Sequence, residues 1–255
     1  MMSARGLLCL FSLYLTLVAG HGHVGSVIVD GKTFAGWNFT QLDQHPLPIS
    51  AGWKAYDYED TYVSPSSVGN PDIICHMNAT PGELYVPAQP GSKVTFIWAD
   101  WPYGNVHPGP IMDYIAKCDG ECPAADKTKL KWLKMHQSSF TMKGGQVNWA
   151  TFDMEAAKPM NSWTITIPNI EPGNYVIRTE ILALHLAMRP NGAQFYPQCI
   201  NFKISGSGTD KVTGGVIGTQ LYSATDPGIV YDIYRASAAT AYPMPGPPLA
   251  NFTYI

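Results

Sequence analysis

Apolar and polar residues alternate in short runs along most of the chain after its first 20 residues. In the run Lys93 to Ala99, Val94, Phe96 and Trp98 occupy every second position and therefore share one face. Successive side chains of a β-strand point to opposite faces of the sheet, so this alternation predicts half-buried strands. The other runs that predict strands are Val24 to Asp30, Ser162 to Ile167, Asn174 to His185, Cys199 to Ser205 and Ile229 to Tyr234.

Turn residues separate these runs and favour strands joined by long loops. The chain contains 21 prolines and 24 glycines, and an Asp30-Gly31 turn follows the first run. Helical periodicity is weak: Ala124 to Lys134 could begin with one helical turn, but its second half suits a strand equally well. There is no internal repeat and no linker before a second module. We therefore predict one all-β domain over residues 21–255, built as a β-sandwich.

The first 20 residues have the pattern of a secretory signal peptide. Arg5 supplies a positive charge, Leu7 to Val18 is an almost unbroken apolar run, and Val18-Ala19-Gly20 places small residues at the cleavage site. A membrane anchor would need about 20 apolar residues to span a bilayer, and this run is shorter. We therefore expect a secreted, extracellular protein without a membrane attachment, whose mature chain begins at His21.

The composition is that of a chain able to bury a core. Apolar residues make up 45% of the chain and aromatic residues 12%, whereas only 14% are charged. The net charge at pH 7 is −3, and no block of basic residues occurs. Because proteins that bind nucleic acid or anionic lipid usually carry such a block, we expect neither as a partner.

Four cysteines remain after removal of the signal peptide: Cys75, Cys118, Cys122 and Cys199. An even number in an oxidising compartment predicts two disulfides, for which three pairings are possible. We predict the pairing in which Cys118–Cys122 closes a tight loop and Cys75–Cys199 joins distant segments. The alternative is a zinc site that uses Cys118 and Cys122, and secretion disfavours it.

Three Asn-x-Thr sequons begin at Asn38, Asn78 and Asn251. This is the acceptor sequence for N-glycosylation, which places it on surface loops of secreted proteins. We predict glycan sites at all three positions, with less use of Asn78 because Pro81 follows its sequon.

A histidine at the N-terminus of a mature chain offers two metal ligands on one residue. The α-amine of His21 and the Nδ1 of its imidazole can bind one ion in a chelate ring. The α-amine titrates near pH 8, about 2–3 units below a lysine, so a metal ion can displace its proton near neutral pH. One further imidazole would complete a set of three nitrogens, which suits Cu(II) better than Zn(II) or Ca(II).

Seven short segments, in order along the mature chain, carry a family resemblance. They are His21-Gly22, Pro71-Asp72-Ile73-Ile74-Cys75, His107-Pro108-Gly109-Pro110, Asn174-Tyr175-Val176-Ile177-Arg178, Ala183-Leu184-His185, Gly192-Ala193-Gln194-Phe195-Tyr196-Pro197-Gln198-Cys199 and Pro245-Gly246-Pro247-Pro248. Together they resemble the fungal lytic polysaccharide monooxygenases of auxiliary activity family 9, formerly glycoside hydrolase family 61. The resemblance implies an immunoglobulin-like or fibronectin III-like β-sandwich whose long loops form a flat surface, with no appended carbohydrate-binding module.

The resemblance also implies roles for five residues of one site. His21 and His107 would bind one copper ion per chain, through the amine and Nδ1 of His21 and the Nε2 of His107. Tyr196 would be the axial metal ligand, at longer range. His185 and Gln194 would be the catalytic pair that hydrogen-bonds oxygen species at the metal. Gln194 and Tyr196 are two residues apart, so they would share one face of a strand.

The activity implied by the resemblance is copper-dependent oxidative cleavage of a β-1,4-glucan, above all cellulose, with a hemicellulose such as xyloglucan as the other candidate. Cleavage would follow hydroxylation at C1 or C4 with O2 or H2O2, and would require an external electron donor. The enzyme would act as a monomer. Tyr234 matches the position of a substrate-binding tyrosine of the family, and an exposed aromatic ring can stack on a sugar.

The chain departs from the family pattern in three places. Tyr103-Gly104-Asn105-Val106 replaces the usual Ser-rich approach to the second metal ligand, and Thr179 stands where a histidine often follows the arginine. The loop Gln41 to Ile49 lacks the tyrosine that some members use for cellulose. These departures leave the substrate preference open but do not affect copper binding.

Two other classes of function fit parts of the sequence. A glycoside hydrolase needs two carboxyl groups that flank the scissile bond, and Asp57, Glu59 and Asp60 are close in sequence, although acidic runs in such loops are usually solvated. A non-catalytic secreted copper- or carbohydrate-binding protein of the same fold is the main alternative. Carbohydrate binding alone would explain Tyr234 but not the combination of His21, His107, Gln194 and Tyr196. Copper binding without redox chemistry is disfavoured by Gln194 and His185.

Overall fold

The structure, a computed structural model, describes residues 22–57, 61–237 and 241–255. The predicted signal peptide and His21 lie outside these residues, as do Glu59 and Asp60. In chain order, the helices and strands are β1 (His23–Val29), β2 (Lys32–Ala35), α1 (Asp72–Cys75), β3 (Val86–Ala88), β4 (Lys93–Ala99), β5 (Ile111–Lys117), β6 (Lys131–Ser138), β7 (Phe140–Lys143), β8 (Gln146–Trp149), α2 (Ala150–Ala156), β9 (Ser162–Thr166), β10 (Gly173–Ala183), β11 (Gln194–Ile204) and β12 (Val216–Ile217).

The strands form the two sheets of an immunoglobulin-like β-sandwich, and a separate β7–β8 hairpin. The smaller sheet has the order β2-β1-β4-β9, and all its neighbours are antiparallel. The larger sheet has the order β12-β6-β5-β10-β11-β3, and only β11 and β3 run parallel. The fold class predicted from the alternating pattern is therefore confirmed.

The main core lies between the two sheets. Val27 and Phe96 of the smaller sheet and Ile177 and Phe202 of the larger sheet are completely buried in one apolar cluster. Burying one such side chain stabilises the folded state by about 1.5–3 kcal/mol. The predicted apolar faces of β1, β4 and β9 supply the smaller sheet's share of this core, which is why their alternation is visible in the sequence.

A second apolar cluster covers the outer face of the larger sheet. It contains Trp53, Ile73 and Ile74 from the long connection between β2 and β3, packed with Trp132 and Leu182 of the sheet. Strand β10 is consequently buried on both faces from its third residue to its last. A strand covered on both sides does not need to alternate, and here the apolar runs Tyr175 to Ile177 and Ile181 to Ala183 flank three buried polar residues, Arg178 to Glu180.

Both predicted disulfides are present. Cys75–Cys199 joins the end of α1 to β11, with a Cα–Cα distance of 5.2 Å. Cys118–Cys122 closes the turn after β5, with a Cα–Cα distance of 5.3 Å. The first bond holds the covering loops against the larger sheet. Its two cysteines are 124 residues apart along the chain, so it also restricts the unfolded chain strongly.

The strand predicted over residues 229–234 is wrong. Within the described part of the chain, its one backbone hydrogen bond to a distant segment runs from the Tyr231 amide to the carbonyl of Ala187 (3.0 Å), and no strand pairs with it. Instead, the Asp232 side chain accepts from the Tyr234 amide and caps a 3-10 helix, Ile233–Arg235. Local side-chain capping replaces strand pairing here.

The two α-helices were not predicted. They have four and seven residues, too few to show helical periodicity in the sequence. Nowhere in the described ranges is a helix long and apolar enough to cross a bilayer. The ambiguous segment before residue 134 contains short 3-10 turns followed by strand β6.

Candidate functional site

The ends of β10 and β11 place three of the predicted site residues together. Ala183, the last residue of β10, pairs with Gln194, the first residue of β11. His185 follows β10 directly, and Tyr196 lies two residues into β11 on the same face as Gln194. The Tyr196 hydroxyl donates to Gln194 Oε1 at 2.8 Å. The expectation that Gln194 and Tyr196 reach a common site agrees with this contact.

His107 approaches the same place from the connection between β4 and β5. The centroids of the His107 and His185 rings are 4.5 Å apart, and those of His107 and Tyr196 are 6.4 Å apart. His107 is only 6% exposed. His185 is half-buried, and burial lowers the pKa of its imidazole, which is therefore neutral at pH 7. Among the described residues, no partner bonds the buried Nδ1 of His185.

The loop that carries His107 is fastened to the end of β10 by its backbone. The Leu184 amide donates to the carbonyl of Pro108 (2.8 Å), and the Leu182 amide donates to that of Pro110 (3.2 Å). A Cβ on Gly109 would lie 1.9 Å from the Leu182 carbonyl oxygen, so only glycine permits this approach. The Pro-Gly-Pro sequence after His107 thus has a specific steric cause.

The first described residue, Gly22, packs against the same loop. Gly22 is buried, and a Cβ there would lie 2.6 Å from the Trp101 ring and 3.3 Å from the carbonyl oxygen of Ala99. Trp101 in turn contacts His107, with ring centroids 5.5 Å apart. The chain at Gly22 is therefore one aromatic ring away from His107, and His21 is the residue that precedes it.

Within the described part of the chain, no three His, Cys, Asp or Glu side chains are grouped closely enough to hold a metal ion. The donor set predicted from the sequence includes His21, which lies outside that part. What the structure does bring together is one imidazole, His107, with a phenol, a second imidazole and an amide. Nitrogen and oxygen donors of this kind fit a copper ion once residue 21 adds its two nitrogens.

Comparison with known proteins identifies the family. The model of Auxiliary Activity family 9 (formerly GH61) matches residues 21–242. The chain belongs to this family. It is therefore a lytic polysaccharide monooxygenase, an oxidoreductase of a copper-dependent family whose fungal members are secreted and cleave polysaccharides oxidatively with electrons from an external reductant.

Relatives and solved structures resemble this family 9 enzyme over nearly its whole length. AA9 family lytic polysaccharide monooxygenase F of Emericella nidulans is 46% identical over 240 residues, which cover 91% of this chain and 92% of the relative. The extended catalytic domain of H. jecorina LPMO9A superposes with a TM-score of 0.83 and 40% identity, covering 91% of each chain. Cel61B from Hypocrea jecorina gives a TM-score of 0.82 and 37% identity over 90% of this chain and all of that one.

Three residues that hold the His107 loop of this family 9 enzyme were not predicted from the sequence. Trp101 packs edge-on against both His107 and Tyr196, and its indole N–H donates to Glu155 on α2. Thr151, one turn earlier on α2, bonds the backbone of Gly109. An aromatic residue six positions before His107 was the available signal. The two α2 residues gave none, since their helix is too short to recognise.

Two tyrosines, Tyr234 and Tyr103, are the most exposed of the tyrosines that the structure describes. Tyr234, the predicted substrate-binding residue, is 72% exposed on the 3-10 helix described above. Tyr103 was missed: it is 66% exposed in the segment that departs from the family pattern, four residues before His107. An exposed aromatic ring presents an apolar face on which a sugar ring can stack.

The three sequon asparagines differ in accessibility. Asn78 and Asn251 are exposed, and Asn38 is half-buried. The Asn38 side-chain oxygen accepts from the amide and the hydroxyl of Thr40, its own sequon threonine. Glycosylation at these three positions stays a prediction.

One further carboxyl group, Asp57, lies near this site but is fully buried. Gln198, two residues beyond Tyr196 on β11, accepts weakly from the Val24 amide (3.4 Å) and lies beside Asp57. Burial raises the pKa of Asp57 to about 7, an effect that the Gln198 amide offsets only in part. A carboxyl group without solvent access does not suit the paired carboxyls of a glycoside hydrolase.

Asp57 predicts a dependence of stability on pH. Between its ordinary pKa of 3.8 and about 7, the folded protein keeps a proton that the unfolded chain has released. The free energy of unfolding should therefore fall as pH rises, by about 2.5 kcal/mol between pH 5 and pH 8. The free energy of unfolding is measured in guanidinium at pH 5 and pH 8. Asp57→Asn should lack this part of the difference between the two pH values. An equal fall in both proteins would contradict the assignment.

Proposed function

We propose that this chain cleaves β-1,4-glucan chains, with cellulose as the main substrate, by hydroxylation at C1 or C4. The reaction uses one copper ion per chain, O2 or H2O2, and an external electron donor. The observation that carries the proposal is the convergence of His107, His185, Gln194 and Tyr196 at one end of the sandwich, with Gly22 packed one ring away.

His21 and His107 would hold the copper. The amine and Nδ1 of His21 would provide two nitrogens and the Nε2 of His107 a third, and the Tyr196 phenol would add an oxygen donor. Copper bound there supplies one-electron redox chemistry and activates the oxidant. The buried position of Gly22 against Trp101 supports this ligand set, because it brings the chain to His107 immediately after residue 21.

His185 and Gln194 are the proposed catalytic pair. The Tyr196 hydroxyl donates to Gln194 Oε1, which fixes the amide and leaves its NH2 group to donate to the oxidant. His185 is neutral at pH 7 because burial lowers the pKa of its imidazole. A neutral ring can donate a proton at one nitrogen and accept at the other, so it can orient a polar reactant beside His107.

Tyr234 is the proposed binding residue for the polysaccharide, and the exposed Tyr103 would extend the same function. The long loops would provide a flat surface, which suits a crystalline chain that cannot enter a deep cleft. We further propose that the mature enzyme begins at His21, comprises one catalytic domain, is secreted with glycans at Asn38, Asn78 or Asn251, and acts as a monomer.

The test compares two forms of the purified enzyme that differ by one residue. The form that begins at His21, loaded with copper and given ascorbate, should release aldonic acids or C4-keto sugars from cellulose, with and without added H2O2. Xyloglucan and other glucans define the range of substrates. A form with one glycine ahead of His21 should fold normally but release no oxidised sugar, because its amine is now an amide.

Proteolytic removal of the added glycine is the control, and it should restore full activity. Full activity of the extended form would show that the amine of His21 is not a ligand. Tight copper binding without oxidised product from any glucan would instead favour the non-catalytic binding protein.

A further inference from the structure

A second buried acidic group, Glu155, lies beside the proposed metal site and has no role in the proposed function. Glu155 lies on α2, is 9% exposed, and uses its two carboxyl oxygens for two different donors. The Trp101 indole N–H donates to Oε1 (3.3 Å), and the backbone amide of Asn105 donates to Oε2 (2.9 Å). No lysine or arginine in the described ranges forms an ion pair with Glu155.

Both contacts of Glu155 bear on His107. Asn105 precedes His107 by two residues, so its hydrogen bond fixes the backbone that leads into the ligand. Trp101 packs edge-on against the His107 ring, with centroids 5.5 Å apart. The hydrogen bond from its indole N–H to Glu155 therefore fixes a ring that contacts the His107 imidazole. A change at Glu155 therefore reaches His107 through the backbone and through a ring contact.

The same helix also holds the loop on the other side of His107. Thr151 Oγ1 accepts from the Gly109 amide at 3.1 Å, and the Thr151 amide donates back to the Gly109 carbonyl at 3.3 Å. Thr151 and Glu155 are four residues apart, so they occupy one face of α2. Through Glu155 and Thr151, this face of α2 hydrogen-bonds the backbone both before and after His107.

The chemistry of the contact explains why an acid is present. Burying a carboxyl group is costly unless its oxygens accept hydrogen bonds, and here both do so from neutral N–H donors. A glutamine would accept with one oxygen only and would turn an NH2 group toward the second donor. An apolar residue would leave the Trp101 N–H and the Asn105 amide without acceptors.

We propose that Glu155 is a positioning residue for the metal site: it fixes Trp101 and the Asn105 backbone so that the His107 imidazole is held ready to bind copper. This proposal rests on the proposed function, because it assumes that His107 binds the metal. Residues that orient metal ligands in this way typically change metal affinity by about 10–100-fold when they are replaced.

The test uses a matched pair of substitutions on α2. Glu155→Gln removes one of the two oxygens that accept from Trp101 and Asn105. Asp153→Asn makes the same chemical change on the solvent side of α2, where the carboxyl group pairs with Lys143. Copper affinity is measured by calorimetry and the Cu(II) site by electron paramagnetic resonance, both on folded protein that begins at His21. Glu155→Gln should weaken copper binding about 10–100-fold and change the copper hyperfine splitting. Asp153→Asn should change neither.

Trp101→Phe provides a second variant in case Glu155→Gln folds poorly. It removes the indole N–H but keeps an aromatic ring, and it should shift the resonance spectrum in the same direction. In the double variant, Trp101→Phe should weaken copper binding by less than it does alone. The reason is that Trp101 and Glu155 are hydrogen-bonded to each other, so their effects are coupled.

Two results separate this inference from the proposed function. The positioning role is wrong if folded Glu155→Gln has the same copper affinity and resonance spectrum as Asp153→Asn. If that protein still oxidises cellulose, the proposed function stands. Failure of the unaltered enzyme to bind copper would overturn the proposed function and this inference with it.

Discussion

Replacement of His107 by alanine is expected to reduce the release of oxidised sugars from cellulose to the background of free copper with ascorbate. The substitution removes the imidazole that we propose as the third nitrogen ligand beside the two of His21. Replacement of groups that merely orient ligands already lowers metal affinity about 10–100-fold, so loss of a ligand should exceed that range. Calorimetric copper binding and product analysis by mass spectrometry check the two parts of this prediction.

His136→Ala is the matched control for His107→Ala. His136 lies on β6, half-exposed, with its Nδ1 3.3 Å from Asp113 and its ring against Trp163. Its loss also deletes an imidazole, but at a distance from the predicted ligands, so copper affinity should stay within about a factor of two of the unaltered enzyme. Equal losses in the two variants would mean that His107 acts through stability and not as a ligand.

The largest effect on stability is expected from Arg178→Met. Arg178 is fully buried on β10, donates to the carbonyls of Ile73 and Ile74, and forms an ion pair with Glu180. Without Arg178, Glu180 would remain buried with only the weaker attraction of Lys134 to offset its charge. Loss of one partner of such a pair costs about 3–5 kcal/mol, so the free energy of unfolding in urea should fall by that amount.

The dependence of this loss on pH identifies its cause. Burial raises the pKa of Glu180, and Arg178 and the Tyr222 hydroxyl oppose that rise. In the Arg178→Met variant the pKa should rise further, because the stronger of the two opposing cations is gone and only Lys134 remains. Protonation then removes the buried charge at low pH. The deficit relative to the unaltered enzyme should therefore be smaller at pH 5 than at pH 8.

The double variant Arg178→Met, Glu180→Met supplies the control for charge. It removes both ions, and the Tyr222 hydroxyl keeps that of Tyr114, 2.7 Å away, as a partner. It should be more stable than Arg178→Met alone, since apolar pairs often replace buried ion pairs at little cost. A double variant that is less stable than the single one would show that the carbonyl contacts of Arg178, and not the charge pair, carry the stabilisation.

The strands with one buried and one exposed face could be predicted closely, and β10, buried on both faces, was also predicted to within two residues at each end. Strand β4 begins and ends at the predicted residues, because every second side chain enters the core. The prediction for β11 began five residues too late, at Cys199 rather than Gln194, because this strand is buried on both faces. Over residues 229–234, alternation was present without a neighbouring strand, and pairing is a property of the surroundings.

The predicted site residues came from ordered motifs, and the structure shows why those motifs have their spacing. Gln194 and Tyr196 are two apart because both lie on one face of β11, and Gly109 follows His107 because the Leu182 carbonyl leaves no room for a Cβ. The supporting groups on α2 could not be found in this way. Their distance from His107 along the chain is more than 40 residues, and only folding brings them together.

By itself, the sequence determined the sheet-forming runs, the even set of cysteines and the order of the family motifs, since each of these depends on residue type and local spacing. The tertiary structure alone decided that β10 is covered on both faces and that Glu155 reaches the loop before His107. It also displayed Tyr103 and Tyr234 and buried Asp57. The physical reason is the same in each case: burial and hydrogen bonding between distant segments are set by packing, which local sequence does not encode.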